Sequence, residues 1–335
     1  MIGYILKRFL GTLPVVVLIA LGVFMLLQAA PGDPAEMLIS DQASPAEVAA
    51  AKERWGLGQP VFIQFLRFAS SAIQLDFGRS FKYDEPVLTL IGERFPATLE
   101  LALFASLLAI ILAVPLGMWA ARHPNSWIDT LSSTVGFVGI SMPNFWLGIV
   151  LILVVSGYFG LLPSNGRETL GVGASPITGF AVLDALLAGD VRALIDALRH
   201  MVLPVFVLSL NMVGIVMRVT RSSMLDALGE DYIMTARAKG LTERVVCWRH
   251  GLPNALVTVV TVVGFEFGVL LSGSIIVEAV FAWPGIGNLL LQGIGARDYP
   301  LITGVVLVYT SLFLVVNLLM DFIYAAIDPR IRLDG

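Results

Sequence analysis

This chain has a single cysteine, three histidines and few charges. Each scarcity excludes something. Cys247 alone cannot build a disulfide framework or a multi-cysteine metal site. His123, His200 and His250 lie far apart and make no ligand-spaced pair. Charged residues are 14% of the 335, where a soluble domain carries about a quarter. A formal net charge of −4 gives no basic footprint for nucleic acid, so none is expected as a partner. No GxxxxGK(S/T) phosphate loop occurs, so any ATP hydrolysis belongs to another chain. HExxH and GxSxG are also missing, which argues against an intramembrane enzyme. There is no internal repeat and no low-complexity tract.

What is present is apolar. Hydrophobic residues are 57% of the chain, and mean hydropathy is +0.86. A soluble fold could not hide that much apolar surface, so the chain reads as an all-α polytopic membrane protein. Crossing the hydrocarbon takes about 17–25 residues. Uncharged runs of that kind occur at Phe9–Leu27, Leu101–Ala121, Thr130–Gly160, Met201–Met217 and Leu301–Met320. A sixth, roughly Asn254–Val280, is interrupted by Glu266 and Glu278. About six spans are therefore expected. The first run is longer than a signal-peptide core, and Pro31 follows its small residues, so it reads as a retained span.

Basic residues nearest the span ends set orientation. Lys7, Arg8, Arg122, Arg218, Arg221, Arg330 and Arg332 all fall on one side, which is then the cytosol. Both termini are expected to be cytoplasmic. The resulting plan is a cytosolic terminus at 1–8, a first span at 9–30, an external helical segment at 31–96 and a five-helix core at 97–335. The core carries an external loop at 161–200 and a cytosolic loop at 221–253. In the external segment, Ser44-Pro45-Ala46-Glu47 reads as a capping box opening a helix to about Trp55. A second helix is expected from Pro86 to Arg94, ending before Pro96.

The cytosolic loop is the most informative polar stretch. It reads DYIMTARAKGLTERVVCWRHGLPNAL from Asp231 to Leu256. Gly229 can break the helical pattern of Met224–Lys239 or sit inside it; both readings stay open. Gly240 is placed as a C-terminal cap. Thr242 suits the N-cap of a second helix, about Glu243–His250, which Gly251 and Pro253 would stop. Basic Arg237, Lys239, Arg244 and Arg249 alternate with apolar Ile233, Val245, Val246 and Trp248. That mixed surface suits a protein groove, and an ordinary loop made basic by orientation is the plainer alternative.

Several motifs occur in order along the chain. They are Pro31-Gly32-Asp33-Pro34, Phe95-Pro96-Ala97-Thr98-Leu99-Glu100 and Ser141-Met142-Pro143-Asn144-Phe145-Trp146. Arg218-Val219-Thr220-Arg221-Ser222-Ser223-Met224-Leu225 follows, then Glu278, Phe281, Trp283-Pro284-Gly285, Gly287 and Arg297-Asp298-Tyr299-Pro300. Together with the loop they resemble ABC importer permeases of the peptide/nickel branch, and most closely its B-type, dipeptide-transporting subunits. The loop resembles the family's EAA element. Met234-Thr235-Ala236 stands at the EAA positions and departs at the first two, Gly240 matches, His250 replaces an Ile, and Leu252-Pro253 matches.

The resemblance implies an ABC type I importer permease fold in the bacterial inner membrane. It implies a second, C-type permease, two ABC ATPase subunits that supply the ATP and Mg site, and an extracytoplasmic solute-binding protein. No cofactor is implied in this chain itself. ATPase coupling would fall to Asp231, Tyr232, Thr235, Ala236, Arg237, Lys239, Gly240, Leu241, Arg244, His250, Leu252 and Pro253. Candidates for binding-protein docking are Pro31, Gly32, Asp33, Pro34, Asn165, Gly166, Arg297 and Asp298. Di- or oligopeptides are the expected cargo, with nickel, glutathione and opine-like solutes open. A different class, an ATPase-independent secondary transporter, would need repeats or several buried ionisable groups.

Five residues are candidates for the path or gate: Pro143, Phe145, Trp146, Glu266 and Glu278. Pro143 lies in the middle of a very long apolar run and should kink or interrupt it. Glu266 lies about ten residues into its span, where a carboxylate is costly and should face a bundle interior or a wet cavity. It either meets substrate or makes a structural hydrogen bond. Glu278 reads as architecture near the outer end. Trp283-Pro284-Gly285 reads as a turn at the outer interface, with a short helix near Leu289–Ile294 after it.

Overall fold

A computed structural model describes residues 2–29 and 59–327. The PGDP motif and the capping box at Ser44 lie outside the described residues. Every regular element described is helical, apart from one isolated bridge between Arg79 and Pro86. Among the described residues, four helices are long and apolar enough to cross a membrane, or five if a bent pair is counted as one span. The chain divides into two compact units, Met1–Thr98 with Pro284–Val315, and Leu99–Trp283 with Val316–Gly335.

In the first unit, α1 (Ile2–Ala29) is a 28-residue helix. Phe24 packs on Phe65 and Phe68 of α2 (Val61–Ile73), with ring centroids 5.6 and 5.7 Å apart. Helix α3 (Val87–Arg122) begins here and runs on for 36 residues. The expected stop before Pro96 does not occur. A proline removes one backbone hydrogen bond, and helices in a membrane tolerate that loss. Val87, Leu90, Ile91 and Ala97 are all buried on one side of this turn, and that packing holds the helix through the proline.

In the second unit, α4 (Trp127–Ser141) is capped by Ser126, whose hydroxyl accepts from the Asp129 amide. Met142 and Pro143 then leave the helical region. Helix α5 (Asn144–Leu151) continues as a π-helix over Ile152–Tyr158 and turns away by 98°. The break expected at Pro143 is therefore a sharp bend. A short α6 (Ala181–Leu187) precedes α7 (Val191–Leu228), which is 38 residues long and capped by the Asp190 carboxylate. Much of α7 is buried among its neighbours, and α4 crosses it through glycines. A methyl group on Gly214 would stand 2.5 Å from the Gly136 carbonyl, and one on Gly139 would stand 2.7 Å from the Leu210 carbonyl. Such close backbone approach is how membrane helices pack when apolar side chains face equally apolar lipid.

Two further breaks shape the unit. Gly229 ends α7 and does not sit inside a longer helix. The second loop helix is not stopped by Gly251 and Pro253. α9 (Glu243–Val245) passes through a π-turn, Val246–Gly251, into α10 (Leu252–Gly273), and the three form one rod. Pro253 follows the π-helical turn directly, so the rod passes through a proline where its hydrogen bonding has already shifted. Ser274 then separates α10 from α11 (Ile275–Val280).

Back in the first unit, α12 (Ile286–Gly295) starts on a hydrogen bond from the Ile286 amide to the Thr98 hydroxyl at 2.9 Å. It is followed by α13 (Tyr299–Ile327), which reaches the second unit beyond Val315. The short helix expected near Leu289 is thus present and longer. Trp283 is fully buried beside the turn at Ala282. Its amide donates to the Glu278 carbonyl at 2.7 Å as the chain leaves α11.

Candidate functional site: the polar surface around Gly240

The loop folds as two helices at a tight turn. α8 (Asp231–Ala238) ends at Lys239, and Gly240 adopts φ +75°. A left-handed residue there suits glycine, and no neighbouring atom lies within 4 Å of its missing side chain. Backbone geometry is therefore what requires this glycine. Thr242 stands at the N-cap of α9 with extended backbone, but its side chain makes no capping bond.

One face of this hairpin is buried. Ile233, Ala236 and Val246 form a small core, closed by Leu228. Two polar links hold α8 to the rod that follows. Asn254 donates to the Tyr232 hydroxyl at 2.9 Å and to the His250 carbonyl at 2.9 Å. Arg237 donates to Glu243 across the turn, with Nε 2.8 Å from the carboxylate. Desolvation, with help from the Glu230 carboxylate, raises the pKa of Tyr232, so it remains a neutral hydroxyl.

The other face is open. Met234 is 60% exposed and Trp248 53%. Tyr232, Leu241 and Val245 are exposed beside them. Asp231, Thr235, Lys239, Arg244 and Arg249 are exposed around them. Of the residues singled out in the sequence, Ala236 and Leu252 are buried and support the surface from beneath. Pro253 is exposed, and His250 is half-buried. Ile233 and Val246 face inward, whereas Val245 and Trp248 face outward. The exposed side of the loop thus mixes apolar side chains with charges, mostly basic but including Glu230 and Asp231, on a braced platform, a composition that suits docking. Sequence reasoning missed Asn254, because its partner lies 22 residues away in the chain and no local spacing signals it.

Of the path candidates, Phe145 and Trp146 lie on α5, which packs against α11, the helix of Glu278. Phe145 and Trp146 are about half exposed at the start of α5. Glu266 is half-buried on α10 and has no hydrogen-bond or ion-pair partner among the described residues. Glu278 is fully buried and accepts from the Ser274 hydroxyl at 2.8 Å, an architectural position.

The segment 161–200 and the chain around Asp298 are held by acids. Glu100, 2% exposed, accepts from Arg167 and from the amides of Ala181 and Val182. That anchors the loop containing Asn165 and Gly166 to α3. Burial opposes ionisation of Asp184, but the Thr178 hydroxyl and amide and the Gly179 amide outweigh it. Its carboxyl is held below its ordinary value. In the first unit, Asp298 is fully buried and accepts from the Ser80 hydroxyl and the Lys82 and Leu301 amides. Its neighbour Arg297 is exposed with φ +54°.

The pattern of the family described as "Binding-protein-dependent transport system inner membrane component" matches residues 113–333, and its N-terminal companion matches residues 1–102. The chain belongs to this family. It is 41% identical to the probable D,D-dipeptide transport system permease protein of Escherichia coli, over 98% of this chain and 97% of that one. Identity is 38% to the dipeptide transport system permease protein of Alkalihalophilus pseudofirmus, over 99% and 100%. It is 39% to a glutathione transport system permease protein of Salmonella typhimurium, over 99% of each. Among solved structures, an inward-facing form of the MetNI methionine ABC transporter superposes with a TM-score of 0.54. That match is 18% identical and covers 73% of this chain and 99% of that one; it supports the fold. The protein is therefore a multi-pass inner-membrane component of a binding-protein-dependent transport system.

Proposed function

We propose that this chain is one of two permease subunits of an ATP-driven importer of di- or oligopeptides. A solute-binding protein would deliver cargo on the outer side, and two ATPase subunits would act on the cytosolic side. The observation that carries the reading is the surface around Gly240, where exposed apolar side chains mix with mostly basic charges on the base of α10. Motion applied to α8 would pass to α10 through the Tyr232–Asn254 bond and the Ile233–Val246 core. Within this scheme both termini are cytoplasmic, Pro143, Phe145, Trp146 and Glu266 belong to the path or its gate, and Arg297 and the Asn165–Gly166 turn face the binding protein. Short peptides are favoured as cargo because the dipeptide permeases match over nearly the whole chain. Glutathione, itself a short peptide, fits the same relatives.

Purification of the chain from its native membrane in mild detergent tests the reading, with mass spectrometry of what accompanies it. Recovery of a second permease and P-loop ATPases, and loss of dipeptide uptake on deletion of the gene, is the expected result. Recovery of this chain alone, after crosslinking in intact membranes, would contradict it.

A further inference from the structure

Near the cytosolic ends of α3, α4 and α7 the three helices diverge and leave a cleft of about 200 Å³. Its wall includes Ala120, Ser132, Ser133, Phe137, Met217 and Arg218. Three polar groups in this wall, Ser132, Ser133 and Arg218, have no hydrogen-bond acceptor among the described residues. Thr130 and Thr134, on the same helix, return their hydroxyls to the carbonyls four residues back, at 3.1 and 2.8 Å. Ser132 and Ser133 make no such bond, and neither has a hydrogen-bond partner among the described residues. Ser132 is 7% exposed and lines the cleft. Such a group is costly unless something supplies an acceptor.

The charges around the cleft are unequal. Arg221 reaches its edge but is neutralised by Asp129, with Nε–Oδ1 2.5 Å and Nη2–Oδ2 2.7 Å. Arg218 has no carboxylate partner among the described residues. Its guanidinium lies 4.8 Å from the centre of the Phe137 ring, a contact that leaves its N–H groups free to bind. One unpaired guanidinium and two unpaired hydroxyls therefore converge on a slot whose remaining wall is apolar.

We propose that this cleft binds the phosphate of an anionic phospholipid, with Arg218 and the two serines as donors and an acyl chain lying along α4. The flank of α4 beside it supports a lipid in particular. Trp127, Leu131, Val135 and Val138 are exposed at helical spacing, at 74%, 55%, 42% and 44%. This is an apolar stripe with a tryptophan at its end, as at a membrane interface. An apolar face of a protein partner would leave the three donors unanswered, whereas phosphate oxygens answer all of them. Basic pockets between spans recognise anionic headgroups by the same chemistry. The inference needs only that the chain lies in a bilayer, so it stands or falls separately from the transport reading.

The test uses the purified transporter in phosphatidylcholine nanodiscs with a minority of phosphatidylglycerol, followed by native mass spectrometry of the retained lipid. Retention of phosphatidylglycerol above its share is expected. It should fall about fivefold in Arg218→Gln, the factor that corresponds to one basic residue near an anionic headgroup. Ser132→Val, which removes one donor and keeps the charge, should also reduce it, with thermal unfolding as the check on folding. Independently of any variant, phosphatidylglycerol with brominated acyl chains should quench Trp127 more than brominated phosphatidylcholine does. Equal quenching by the two lipids, or equal retention in wild type and Arg218→Gln, would overturn the proposal. Displacement of the lipid by millimolar inorganic phosphate would assign the site to free phosphate and overturn it too. So would crosslinking of Phe137→Cys to a second permease chain in place of lipid.

Discussion

Asn254 donates to the hydroxyl of Tyr232 across 2.9 Å, joining the exposed helix α8 to the base of the rod that becomes α10. The bond spans the Gly240 turn, and α8 is separated from α7 by the break at Gly229. The polar link from this surface into the membrane thus runs forward in the chain, into α10, while Leu228 adds an apolar contact to α7. A neutral hydrogen bond is worth about 0.5–1.5 kcal/mol. Tyr232→Phe should therefore lower transport-coupled ATP hydrolysis by roughly two- to tenfold while the ATPases still co-purify. Loss of co-purification would mean that Tyr232 serves docking and not transmission.

The pair Asp129–Arg221 fastens the start of α4 to α7. Asp129 is 8% exposed and Arg221 30%, with two short hydrogen bonds between them. Removing one partner of a buried pair costs about 3–5 kcal/mol, and the partial exposure of Arg221 reduces that to roughly 2–3. Asp129→Ala should lower the unfolding midpoint in detergent, and Asp129→Ala with Arg221→Met should recover part of the loss. Equal midpoints in wild type and Asp129→Ala would show the pair to be idle.

Two glycines should fail for different reasons. At Gly214 an added methyl meets the Gly136 carbonyl at 2.5 Å, so Gly214→Ala must push α4 and α7 apart, at about 1–3 kcal/mol. At Gly240 the space is open, and only the left-handed backbone is strained, at about 1–2 kcal/mol. Gly214→Ala should lower the stability of the whole chain. Gly240→Ala should leave the midpoint nearly unchanged and raise hydrogen exchange in α8 alone.

Asp184 makes the segment 161–200 sensitive to acid. Its folded-state pKa lies below the ordinary 3.8. Its stabilisation is thus present in full above that value and is lost as pH falls through the lower folded value. Amide exchange at Thr178 and Gly179, corrected for intrinsic rate, should stay protected down to about pH 4 and rise below it. In Asp184→Asn the protection should be weaker throughout and no longer follow this titration.

The sequence made most of the architecture legible, because an apolar run long enough to span a bilayer rarely serves any other purpose. The bend at Pro143, the cap at Gly240 and the helix after Trp283 followed from residues whose backbone options are narrow. What escaped depended on partners distant in the chain. Pro96 and Pro253 read as stops, but packing around Ala97 and the π-helical turn before Pro253 let the helices continue. Asn254, Glu100 and the Asp129–Arg221 pair gave no local signal, since each acts on a residue 22 or more positions away.

A photo-crosslinking amino acid placed at Trp248, and in parallel at Leu131, tests the central claim most directly when irradiated in native membranes. The account predicts an adduct with a P-loop ATPase from Trp248, abolished when the ATPase genes are deleted, and none from Leu131. Adducts to lipid alone at Trp248, or ATPase adducts equally from both positions, would contradict the assignment of the Gly240 surface as the docking site.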